Sequence, residues 1–102
     1  MRIFCISDHL DTLTGMRLAG IKGTLVQSRE EALETLAVTR KDKDIGILLI
    51  TEKTAALIRE ELEAIQEESP LPLIIEIPDA TGSEKDENYI LNYVKESIGI
   101  KL

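Results

Sequence analysis

A chain of 102 residues, 43% hydrophobic and 30% charged, supplies one compact domain with a modest core and has no room for a second. With no Trp, one Phe and two Tyr, that core must be built from Ile, Leu, Val and Ala, and a single cysteine excludes an internal disulfide. The net charge of −7 falls in the second half, because residues 1–51 carry seven Lys or Arg against seven Asp or Glu and residues 52–102 carry five against twelve; an acidic surface with no basic stripe argues against nucleic acid as a partner.

The first element is Arg2 to Ser7, a short apolar run that reads as a central strand. After a loop, Asp11 is the expected cap of a short helix with Leu10, Leu13 and Leu18 facing inward and Met16 a further candidate. Gly20 and Gly23 bracket its exit and lead to a brief strand around Thr24 to Val26. Ser28, with Glu31 three residues on, spells a capping box for a helix whose buried stripe is Leu33, Leu36 and Ala37 and whose end lies near Lys41. The third strand is expected at Asp44 to Ile50, and Thr51 caps a third helix with Ala55, Ile58, Leu62 and Ile65 inward. Arg59, Glu60, Glu61, Glu63, Glu67 and Glu68 line its wet side. Pro70 and Pro72 end that helix and admit a fourth strand, Leu73 to Ile77. Pro78, Asp79, Thr81, Gly82 and Ser83 form a polar connection, and Glu87 to Ile98 has the spacing of one more helix, with Tyr89 and Tyr93 at i and i+4. The expected division is a globular part over 1–78, a flexible connection over 79–86 and a C-terminal helical segment over 87–102.

Strands alternating with helical patterns predict an α/β fold: a small flavodoxin-like, receiver-like domain with a four-stranded parallel sheet in the order 2-1-3-4, helices on both faces and a C-terminal helix. The fourth strand is then an edge, and an apolar edge attracts a partner unless a helix or loop covers it. Ligands of such sheets bind at the carboxyl ends of the strands, where this chain places Ser7, Asp8, Thr51, Glu52, Pro78 and Asp79. These do not form a catalytic set. Asp8 and Glu52 have the placement of a receiver's cation-binding acids, yet Thr51 stands where the phosphate-accepting Asp belongs and Glu76 and Pro78 stand where the Lys belongs. Cys5 lies inside a strand, the habit of a buried hydrophobe, and a following Asp8 would repel phosphate. His9 is the only histidine and has no patterned partner, while Gly15, Gly20 and Gly23 lack phosphate-loop spacing. No catalytic residue, cofactor or metal site is therefore expected. The longest apolar run, Ile45 to Ile50, falls far short of the roughly 20 residues that span a bilayer, so direct membrane insertion is not expected. No basic segment leads an apolar stretch at the N-terminus, which points to the cytoplasm.

Taken in order, the segments Asp11-Thr12-Leu13-Thr14-Gly15-Met16-Arg17-Leu18-Ala19-Gly20, Asp44-Ile45-Gly46-Ile47-Leu48-Leu49-Ile50-Thr51-Glu52 and Leu71-Pro72-Leu73-Ile74-Ile75-Glu76-Ile77-Pro78 resemble the F subunit of the rotary V-type and A-type ATPases. The resemblance covers nearly the whole chain. It implies a non-catalytic central-stalk subunit, peripheral to the membrane as part of the complex, that clasps the coiled-coil shaft subunit. Its C-terminal segment would reach the nucleotide-binding hexamer, and the membrane-ring adaptor subunit would be a further neighbour. Two patches are expected to make the contacts. One is Thr14, Gly15, Met16, Arg17 and Gly20, where small residues permit close approach and Arg17 can pair with an acidic surface; the other is Tyr89, Ile90, Tyr93, Val94 and Ile98. A degenerate receiver-like regulatory module and a phosphocarrier-type domain remain as the alternatives.

Overall fold

Alternation along a strand sends successive side chains to opposite faces, so a fully apolar strand needs cover on both sides. The computed structural model describes residues 1–78. It meets that need with strands Arg2–Ser7 (β1), Lys22–Leu25 (β2), Ile45–Thr51 (β3) and Leu73–Ile77 (β4), all parallel and in the order β2-β1-β3-β4. Helix Leu10–Leu18 (α1) covers one face. Helices Arg29–Lys41 (α2), Glu52–Leu57 (α3) and Arg59–Glu68 (α4) cover the other. On the α1 side Cys5, Leu13, Met16, Ile21, Ile47, Leu49 and Ile77 pack together. Opposite them, Ile6, Leu48 and Ile50 meet Leu36, Ile58, Leu62 and Ile65. Each such aliphatic side chain, fully buried, contributes about 1.5–3 kcal/mol.

The fold class and strand order are those expected from the pattern, and several local details differ. Asp11 does not cap α1: His9 holds the cap position, without a side-chain bond, and Asp11 lies in the first turn. Only Leu13 and Met16 of the four inward candidates are buried, because Leu10 (64% exposed) and Leu18 (68%) fall on the opposite side of a helix that covers little more than β1 and β2. Gly20 does end α1, with φ of 84°. The amides of Gly20 and Ile21 bond back to the carbonyls of Arg17 and Met16 at 2.9 Å, the paired closure that favours glycine in this position.

Gly23 is a strand residue, not a bracket, and β2 begins two residues earlier than Thr24. In α2 the Ser28 hydroxyl accepts the Glu31 amide at 3.1 Å, while the Glu31 carboxylate takes the amide of Gln27, one residue before the cap. The buried stripe is Ala32, Leu36 and Thr39, with Leu33 half-buried; Ala37, about 100° round from Leu36, is exposed.

The expected third helix is two helices. Its inward set Ala55, Ile58, Leu62 and Ile65 is buried as predicted, but Ile58 leaves helical geometry (φ −130°, ψ 33°) and divides α3 from α4. The carbonyl of Leu57, at the break, accepts a 2.6 Å bond from Arg29 Nη1. Arg29 also grips Glu61, Arg59 grips Glu76 and Arg2 grips Asp42, and each arginine holds its carboxyl below the usual range. The connection over 79–86 and the helix expected over Glu87 to Ile98 lie outside the described residues.

The tightest constraint on the sequence is Gly23. A Cβ there would lie 2.6 Å from both the Cys5 carbonyl oxygen and a Leu13 methyl, whereas the three atoms nearest to one at Gly46 all belong to the side chain of Met1, an exposed residue that can swing away. Gly23→Ala is expected to lower unfolding free energy by about 1–3 kcal/mol in urea titrations, and Gly46→Ala to leave it nearly unchanged.

Candidate functional site

The carboxyl rim is assembled by three strand ends. At the end of β1, the Ser7 hydroxyl donates to the His9 carbonyl at 3.0 Å and accepts the His9 amide at 2.9 Å, folding the chain over before α1. The neighbouring Val26 amide donates to the Ser7 carbonyl at 2.9 Å and ties in the end of β2. At the end of β3, Thr51 is fully buried and holds the cap position of α3, yet its hydroxyl bonds no helix amide. It donates instead to Asp8 Oδ1 at 2.7 Å and receives the Asp8 amide at 3.4 Å. Since the proton of Thr51 is committed to Asp8, the 3.1 Å contact with Thr54 makes Thr54 the donor. Asp8 is thereby fixed across the switch between β1 and β3.

This network fixes Asp8, Thr51 and Thr54 relative to one another. Thr51 occupies the place of a phosphate acceptor, but the carboxylate beside it is an acceptor of its proton in a closed chain of three side chains. Glu52 is exposed in the first turn of α3. Among the described residues no cluster of three His, Cys, Asp or Glu could hold a metal ion. His9 Nδ1 and Thr12 Oγ1 are buried without a hydrogen-bond partner. Cys5 has no exposed surface, and desolvation pushes its thiol up to about 12, which keeps it protonated and unreactive at neutral pH.

Between these strand ends and α3 lies an open cleft of about 370 Å³, walled by Asp8, Val26, Gln27, Lys53, Thr54 and Leu57. Two of its determinants escaped the sequence. Leu57 reads as one residue of a continuous helix, and nothing local singles out Arg29; their bond links positions 28 apart and leaves no local trace.

The first contact patch is divided by the structure. Thr14, Arg17 and Gly20 are exposed, Gly15 is half-buried, and Met16 (1% exposed) is core. The Thr14 hydroxyl folds back to the Leu10 carbonyl at 3.1 Å. Leu10, Thr14 and Leu18 recur at four-residue spacing, so the outward face of α1 is more apolar than the expected patch. Tyr89, Ile90, Tyr93, Val94 and Ile98 lie outside the described residues.

Residues 3–94 match the family described as ATP synthase (F/14-kDa) subunit. The F subunit of the A-type ATP synthase of Methanothermobacter thermautotrophicus is 39% identical over 94 residues, covering 90% of this chain and 88% of the relative. Its counterpart in Methanosphaera stadtmanae is 38% identical with the same coverage, and that of Pyrococcus furiosus is 34% identical over all of this chain and 98% of its own.

Thr51→Val keeps the shape and strands the Asp8 carboxylate, so it is expected to cost about 1–3 kcal/mol by urea titration, while Thr51→Ser, which retains the donor, costs about 1 kcal/mol. The Cys5 thiol should resist alkylation in the folded protein and react at once in denaturant. Because its folded pKa is raised, its contribution to stability is complete below about pH 9 and falls away as pH climbs from there; rapid labelling of the native chain would show that strand β1 is not buried as described.

Proposed function

The chain belongs to the family described as ATP synthase (F/14-kDa) subunit, and from that membership we propose that it works as the F subunit of an A-type ATP synthase, a non-catalytic component of the central stalk. In this reading it binds the coiled-coil shaft subunit and turns with it, helping to couple ATP synthesis or hydrolysis to the passage of protons or sodium ions. The observation that carries the reading is the length of the family match, residues 3–94 of 102.

The physical character of the molecule supports it. A part that transmits torque must be rigid, and the two apolar cores clamp the sheet from both faces. It must also adhere. The outward face of α1 offers Leu10, Thr14, Leu18 and Arg17 to a partner helix, with the turn at Gly20 at its end. In the same reading, Tyr89, Ile90, Tyr93, Val94 and Ile98 supply a second contact, a regulatory segment directed at the nucleotide-binding hexamer, and the ring adaptor is a further neighbour. No helix among the described residues is long and apolar enough to cross a membrane, so attachment to the membrane sector would run through these partners.

Co-expression with helical-hairpin stalk proteins and gel filtration of the product should yield a one-to-one complex; elution as a free monomer beside every such candidate would overturn the reading. Truncation after Gly82 should leave the urea midpoint of the remaining chain nearly unchanged and alter ATP turnover of the assembled complex. Global unfolding of that variant would remove the proposed division between globular part and regulatory segment.

A further inference from the structure

We draw no further inference here: the strongest candidate, the open apolar cleft of about 380 Å³ at the amino ends of β1, β2 and β3, walled by Ile3, Phe4, Ile21, Lys22 and Ile45, carries nothing because no observation among the described residues shows what covers it.

Discussion

Strand β3 is buried along its entire length, Ile45 to Thr51, and the rest of the molecule follows from the need to cover it twice. Ile47 and Leu49 point to the α1 side, Leu48 and Ile50 to the side of α2, α3 and α4. A strand of that kind cannot carry chemistry along its faces, since any polar group placed there would be desolvated without a partner. Function is therefore confined to the strand ends and to the outer surfaces of the covering helices. Cys5 illustrates the rule from the neighbouring strand: the burial that makes it useful for packing also removes its reactivity.

At the rim, the same demand for satisfied polar groups gives Asp8, Thr51 and Thr54 their arrangement. A receiver-like sheet uses this place for acids around an exposed acceptor, whereas here a fully buried threonine spends its proton on the acid beside it. The result is a brace between β1 and β3. Rigidity at this point would suit the stalk role proposed above, because a strand end fixed to its neighbour carries load into the sheet and not into a loop.

Periodicity makes the sheet legible. Three apolar runs and one brief strand, with helical patterns between them, imply the order β2-β1-β3-β4, because handedness and burial leave few other ways to connect them. What periodicity does not encode is how far each helix reaches. Leu10 and Leu18 look inward by hydrophobicity alone and are left outside because α1 covers mainly two strands, which is also why an apolar outward face is hard to foresee. The division of the third helix at Ile58 is invisible for a different reason: the three- and four-residue spacing of Ala55, Ile58, Leu62 and Ile65 runs across it without interruption. Met16 is both a packing and a contact candidate in the sequence, and packing wins.

The uneven charge acquires a structural meaning once the arginines are placed. Arg29 and Arg40 on α2 reach Glu61 and Glu68 on α4, and Arg59 on α4 reaches Glu76 on β4, so the acidic second half is stitched to the neutral first half and to its own edge strand. Exposed pairs of this kind contribute little individually. Their consequence is positional. By gripping Glu61 and the Leu57 carbonyl together, Arg29 ties the start of α4 and the end of α3 to α2 across the break at Ile58. That corner is a wall of the cleft and holds the half-exposed Leu57 in place.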